Sequence, residues 1–204
     1  MEKPYHHGNL RIVLLQAGVR LLEKKGATHL SLRELAKEAG VSHTAPYRHF
    51  KDKTSLLTAL AQVGYERLAE AMEATACQFA DDPMRQIREA GIAYILMAVR
   101  NPQVFHLMFG GIVQATEYTP ELSQAAQRAF GGLTKIINNG QEAGIYRSQD
   151  AASLTLAAWS MVHGLSILVN AGLLQPSPSS EEQLSAIADS VCNHLLCGML
   201  GDPS

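Results

Sequence analysis

Residues 31–53 read SLRELAKEAGVSHTAPYRHFKDK. Ser31 followed three residues later by Glu34 is a capping box: the hydroxyl accepts an early helix N–H while the carboxylate reaches back to the cap. Leu32, Leu35, Ala36 and Ala39 fall at i, i+3, i+4 and i+7, the buried stripe of a short helix. Gly40 ends it, because glycine enters the left-handed region without strain. Val41 plugs the angle that follows, and Ser42 or Thr44 caps a second short helix ending near Phe50. The spacing predicts two helices joined by a tight glycine-containing turn.

The second helix has almost no apolar face. His43, Thr44, Tyr47, Arg48 and His49 carry hydrogen-bonding groups suited to base edges and phosphates, and in a helix-turn-helix this element enters the major groove. Lys53 stands in the first turn of the next helix, where free N–H groups and the positive dipole end favour an anion. The candidate DNA-contacting set is Arg33, Ser42, His43, Thr44, Ala45, Tyr47, Arg48, His49 and Lys53. Within it Tyr47, His49 and Lys53 are assigned to phosphates, and Thr44 and Arg48 to sequence preference; Phe50 is assigned to the core. Pro46 costs little if Thr44 is the cap and removes one backbone bond if Ser42 is.

At these residues the chain resembles the N-terminal domain of the TetR family of bacterial transcriptional regulators, where a capped helix is followed by a Gly-Val-Ser turn, Tyr-x-His-Phe and a Lys. The resemblance runs from about Asn9 to Leu60 and departs from the usual pattern at Pro46. The expected architecture is all-α with about nine helices: a three-helix helix-turn-helix DNA-binding domain over residues 1–56 and a helical effector-binding and dimerisation domain over residues 57–204.

Charge follows the same division. Residues 1–56 hold ten Lys and Arg against five Asp and Glu, and residues 57–204 hold seven against fourteen. A basic head on an acidic body points to a polyanion bound at one end. Cys77, Cys192 and Cys197 show no metal-ligand spacing and read as buried small apolar residues. His6 and His7 read as part of a basic arm rather than a metal site. The N-terminus lacks an apolar signal core, which points to a cytoplasmic chain.

Helical periodicity continues along the chain. Asn9 is the expected cap of a first helix with Leu10, Val13, Leu14, Ala17, Leu21 and Leu22 on its stripe, and Asp52 caps a long helix running past residue 72. Asp81-Asp82-Pro83, Asn101-Pro102 and Thr119-Pro120 each open another, since proline fits a first helical turn. Between Asp150 and Glu181 there is no charged residue. Ser153, Thr155, Ser160, His163, Ser166 and Asn170 interrupt that run, so it reads as a helix buried on several faces rather than a membrane span. After it, Ser179 with Glu182 forms a second capping box. Leu184, Ile187, Val191, Leu195 and Met199 then make a stripe assigned to a homodimer interface, two helices from each copy forming a four-helix bundle.

Trp159, His163 and Gly164 read W-x-x-x-H-G, which is similar to the TetR subgroup described by a Trp-His-Gly motif. That likeness implies an effector-binding and dimerisation domain. Trp159 and His163 stack on one helix face; they suit a packed anchor with a core histidine as well as a cavity wall. With Tyr94, Phe105, Met108 and Phe109 they form the expected effector pocket, apolar and adaptable. No Gly-rich phosphate loop, nucleophile elbow or HExxH pair occurs in the chain, so neither enzyme chemistry nor a cofactor or metal is expected. The function read from the sequence is a repressor released from a near-palindromic double-stranded operator by a small apolar or aromatic effector. A dimeric, DNA-organising or constitutive binding protein without an effector is the alternative, and a helical enzyme using His163 is a remote one.

Overall fold

The computed structural model of the protein describes residues 7–199, with side chains from Leu10 onward; the His6 and His7 side chains fall outside them. Eight α-helices follow one another: α1 (His7–Lys25), α2 (Leu32–Glu38), α3 (Lys53–Gln78), α4 (Pro83–Arg100), α5 (Pro102–Phe109), α6 (Pro120–Glu142), α7 (Ala151–Asn170) and α8 (Glu181–Met199). Two single 3-10 turns, Pro46–Arg48 and Ala115–Glu117, complete the regular structure, and there is no strand among the described residues. α1 begins two residues before Asn9, which therefore lies inside the helix and not at its cap.

Packing divides the chain into two compact units that are not consecutive in sequence. The first takes residues up to Tyr65 together with Asn101–Ala125, and the second takes Glu66–Arg100 and the chain from Ala126 onward. The division at residue 56 follows the chain; the compact units follow its contacts.

In the first unit, Leu14, Ala17, Leu21 and Leu22 of α1, Leu35 and Ala36 of α2, and Leu56 and Leu60 of α3 are fully or almost fully buried around Phe50. Removal of such side chains from water contributes about 1.5–3 kcal/mol each. At Gly18 a Cβ would stand 2.9 Å from Leu60 Cδ2, so α1 and α3 meet there. Ser31 Oγ accepts the Glu34 N–H at 3.2 Å, as a cap should, while the Glu34 carboxylate turns to the Lys25 ammonium instead of back to the cap. Gly40 turns the chain at φ +67°.

α5 joins this unit through both its ends. The Glu23 carboxylate of α1 accepts the N–H groups of Gln103 at 3.2 Å and Val104 at 2.9 Å, capping the first turn, to which the Asn101 side chain gives no cap bond. At the other end, the Tyr65 hydroxyl of α3 donates to the Met108 carbonyl at 3.0 Å.

In the second unit α4 packs against α7 and α8. Ile87, Ala90, Ile95 and Ala98 of α4 meet Ala158 and Val162 of α7 and Leu184, Ala188, Cys192, Leu195 and Met199 of α8 in one core. A Cβ on Gly91 would lie 2.5 Å from Cys192 Sγ, which sets how closely α4 and α8 approach. Asp150 caps α7 by accepting the N–H groups of Ala152 and Ser153. The cap of α8 is shifted by one residue from the sequence expectation: Ser180 Oγ accepts the Gln183 N–H at 3.2 Å, and the Gln183 side chain reaches back to the Ser179 N–H at 2.8 Å.

Part of the stripe assigned to a subunit interface lies in this core. Leu184, Leu195 and Met199 are between 2 and 7 % exposed within a single chain; Ile187 and Val191 are half-buried at its edge. Periodicity identifies a buried face without saying whose atoms bury it. Of the cysteines, Cys192 is buried as expected, whereas Cys77 and Cys197 are exposed. α7 is long and apolar enough to cross a bilayer by length and composition. Its packing is that of a core helix on one side: the Asn170 side chain donates to the Ala98 carbonyl, and Ser166 is wholly buried.

Leu195→Ala should therefore cost about 2–5 kcal/mol of unfolding free energy by urea titration, the range for a large-to-small core substitution. A change under about 0.5 kcal/mol would mean that this face is not core.

Candidate functional site

The segment between α2 and α3 is built from tight turns. Ala45 N–H donates to the Ser42 carbonyl, Arg48 N–H to Ala45 and His49 N–H to Pro46, each closing over three residues. The second helix of the expected pair is thus a 3-10 turn, because Pro46 has no N–H to offer the Ser42 carbonyl. Pro46 and Phe50 are buried; Ser42, His43, Thr44, Tyr47 and Arg48 are exposed, with Tyr47 at 58 %. Ala45 and His49 are half-buried, and Arg33 is exposed on α2.

Two flanking groups fix this segment. The Asp52 carboxylate accepts the Ser55 N–H at 2.8 Å and starts α3; that bond holds its pKa below the ordinary carboxylate value. The exposed Lys53 ammonium donates to the Thr28 carbonyl at 2.7 Å, so its charge is held near the α2 start. A groove of about 480 Å³ runs beside the turn, lined by Leu10, Gly40, Val41, Ser42, Ala45, Arg48 and His49. The other face of His49 borders a larger open groove of about 600 Å³, where Asp52, Glu117 and Glu121 outnumber Arg11. Phosphates are repelled from that second groove and not from the first.

The six residues expected around one effector cavity fall into two groups. Phe105, Met108 and Phe109 belong to the first unit, where Phe109 packs edge-on to Tyr65 at 5.5 Å and Phe105 lies 5.1 Å from Phe109. Tyr94, Trp159 and His163 belong to the second and are hydrogen-bonded to one another. Trp159 Nε1–H donates to the Tyr94 oxygen at 3.2 Å, and that oxygen lies 2.8 Å from His163 Nδ1. Burial raises the Tyr94 pKa above its ordinary value and lowers that of His163, so burial favours the neutral form of both rings, joined by one hydrogen bond between the Tyr94 oxygen and His163 Nδ1. Phe130 stacks edge-on against Trp159 at 4.9 Å.

Beneath this group is an apolar cavity of about 30 Å³, lined by Met72, Ile87, Ala90, Gly91, Tyr94, Leu133, Ala158, Trp159, Val162 and Leu195. That space suits about one water molecule. Periodicity identified Tyr94 and Trp159; Met72 and Leu133 carry no signal in sequence that separates a cavity wall from ordinary core. Four large apolar side chains of α7, Leu156, Met161, Ile167 and Leu168, are left 39–58 % exposed. Its signal was the charge-free run, which marks the helix without saying which face stays open. Among the described residues, no group of three metal-ligating side chains comes together.

Two family models match the chain: one described as bacterial regulatory proteins, tetR family, over residues 14–60, and one described as tetracyclin repressor-like, C-terminal domain, over residues 87–191. Among curated relatives, the HTH-type transcriptional regulator AcrR of Shigella flexneri is 30 % identical over 117 residues, 56 % of this chain and 54 % of that protein. The HTH-type transcriptional regulator Rv1816 of Mycobacterium tuberculosis is 29 % identical over 143 residues, 67 % of this chain and 59 % of that one. The chain spans little more than half the length of these relatives. A solved structure from Rhodococcus sp. RHA1, of a protein with unknown function, is 32 % identical with a TM-score of 0.85, covering 98 % of this chain and all of that one. The TetR family transcriptional regulator PfmR from Thermus thermophilus shares the fold at 23 % identity and a TM-score of 0.68, covering 90 % of this chain and 97 % of that one.

The His163 geometry sets a pH dependence. Its folded pKa lies below the unfolded imidazole value, so on acidification the unfolded chain takes up a proton first and stability falls as pH drops through the ordinary imidazole range. Urea midpoints measured between pH 7.5 and 5 should fall more steeply for the native chain than for His163→Gln, which keeps an acceptor for Tyr94. Equal slopes would remove this assignment.

Proposed function

The chain belongs to the tetR family of bacterial regulatory proteins, and from that premise we propose that it is a homodimeric DNA-binding transcriptional regulator acting in the cytoplasm. The observation that carries the reading is the exposed polar turn from Ser42 to Arg48, set on a buried apolar support and flanked by the Lys53 ammonium. Such a surface meets base edges with its outer side chains and phosphates with its flanks. His49 and Lys53 contact phosphates, with Arg33 exposed on α2 as a further cation. Two copies on one dimer engage half-sites about 34–36 Å apart, one turn of the duplex.

A second copy of the chain covers the exposed face of α7. Leu156, Met161, Ile167 and Leu168 form the centre of this interface, with Ile187 and Val191 of α8 at its margin. Four helices, two from each copy, complete a bundle. An effector binds at the Tyr94, Trp159 and His163 group. It is small and apolar or aromatic, with one hydrogen-bonding group that replaces a member of the network. At about 30 Å³ the cavity has to open first, and Met72 is the flexible wall that moves. Binding to the opened conformer in preference to the closed one shifts the spacing of the heads, and the repressor leaves its operator. The small volume also favours a second reading, a constitutive dimeric regulator whose body holds no ligand.

Three measurements test these parts. Lys53→Ala should weaken binding to operator and unrelated DNA alike and flatten the salt dependence by up to about one unit for each phosphate no longer neutralised; unchanged affinity and slope would refute the docking. Ile167→Asp should give a folded monomer in sedimentation with weakened operator binding, and a native monomer at micromolar concentration would refute the interface. Trp159, the sole tryptophan of the chain, should report effector binding by fluorescence over the same concentrations that release DNA. An effector equally potent on Trp159→Phe and His163→Phe would place its site elsewhere.

A further inference from the structure

Phe130-Gly131-Gly132-Leu133 stands near the middle of the 23-residue α6. A glycine in a helix interior disfavours the helix about four- to fivefold relative to alanine, and pairs of very small residues are among the places where helices kink. Gly132 has a packing reason to be glycine: a Cβ there would stand 2.8 Å from Met72 Cβ of α3. Gly131 has none. It is exposed, no neighbouring element places an atom within 4 Å of the Cβ it lacks, and neither glycine has a positive φ. Gly164 and Gly198 have the same room, but Gly164 shares its helix face with the exposed Met161, Ile167 and Leu168, and Gly198 lies in the last turn of α8.

The stretch around the pair is loosely held. Ala129, Ile136 and Ile137 are buried, whereas no residue from Phe130 to Lys135 is. α4, α7 and α8 pack closely on one another, and among the described residues α6 has no neighbour at comparable range. Its contacts with α7 include the Phe130 ring, edge-on to Trp159 at 4.9 Å, and the Thr134 hydroxyl, 3.3 Å from that of Thr155. Each hydroxyl also reaches the carbonyl four residues back in its own helix, Thr134 to Phe130 at 3.2 Å and Thr155 to Ala151 at 2.7 Å. Two hydroxyl protons serve three contacts, so the clasp between the helices is weak. A threonine bonded back to its own helix in this way also favours a bend. Leu133, Trp159 and Met72 are walls of the closed apolar cavity.

We infer that Gly131 and Gly132 hinge residues 130–135 of α6 as a gate to that cavity, and that a flat aromatic ligand enters between Phe130 and Trp159 when the gate swings out. This rests on the effector reading above and adds to it the route and the moving part. Closed, the cavity measures about 30 Å³, far below the roughly 150 Å³ that accommodates a benzene ring. Bending at the pair carries Leu133 and the Phe130 ring away from Trp159 and enlarges the space. Gly131 supplies the backbone freedom, and Gly132, having no side chain, leaves the Met72 stem room to move. The ligand ring replaces Phe130 against the indole, one aromatic contact for another, and a single hydroxyl on it reaches the Tyr94 oxygen. Because only the opened chain binds, apparent affinity falls in proportion to the open fraction.

Hydrogen exchange and binding of 2-naphthol, a flat two-ring aromatic with one hydroxyl, test the two halves separately in the full-length chain, with melting curves confirming that each variant is folded. In the native chain the amides of residues 130–135 should exchange about tenfold or more faster than those in the buried stretches of α4 and α8. Gly131→Ala adds a methyl where there is room and favours the helix. It should slow exchange at 130–135 about four- to fivefold and weaken 2-naphthol, followed by Trp159 fluorescence, by the same factor. Thr155→Val, which removes the clasp, should move both quantities the other way. Exchange at 130–135 as slow as in α4, or unaltered by Gly131→Ala, would overturn the hinge whatever binds. Equal affinity of the native and Gly131→Ala chains for 2-naphthol would overturn the route. A hinge that responds as expected in a chain that takes up no 2-naphthol leaves the moving part in place and removes the effector reading beneath the route.

Discussion

A proline nitrogen carries no hydrogen, and at position 46 that missing donor shapes the exposed polar turn between α2 and α3. The carbonyl four residues back cannot be satisfied in the α-helical way; it takes the Ala45 N–H instead, and a separate 3-10 turn follows at Pro46–Arg48. Tolerance of this tighter form depends on its support. Phe50 and the Pro46 ring are buried, the Asp52 carboxylate starts α3 directly behind, and Gly40 supplies the left-handed turn in front. A short segment with few bonds of its own thus keeps one shape, because its neighbours leave it no other.

Support for the same unit comes from far along the chain. Glu23 holds the first N–H groups of α5 and Tyr65 holds its last turn, which draws residues 101–125 into the unit that carries the Ser42–Arg48 turn. A helix of eight residues is marginal by itself; α5 owes its position to a carboxylate at one end, a hydroxyl at the other, and the buried Val104, Phe105 and Leu107 between them. Within the second unit, a similar economy operates at Tyr94, whose oxygen accepts from Trp159 and is hydrogen-bonded to His163 Nδ1.

Local signals were legible in the sequence wherever one residue type answers one backbone need. The Ser31 and Asp52 caps, the Gly40 turn and the proline-started helices stand where the residues put them. Periodicity likewise gave the buried stripes. What it could not give is the partner of a stripe: Leu184, Leu195 and Met199 are apolar at helical spacing whether their own chain or a second copy covers them, and their own chain does. Nor could spacing assign Phe105 and Met108 to the first unit, since sequence distance carries no information on which unit a short helix joins. Pro46 was visible as a departure, but its effect depended on which residue capped the turn, and only the observed bonds decide that.

The central claim is that residues 42–53 dock on DNA as a two-fold pair, and hydroxyl-radical footprinting of the full-length chain on a selected duplex tests it most directly. Two protected patches on one face of the duplex, centred about one helical turn apart, and a protection that weakens as salt rises, are the predicted result. Uniform cleavage across the selected duplex at protein concentrations that saturate it, or a single patch unaffected by Lys53→Ala, would contradict it.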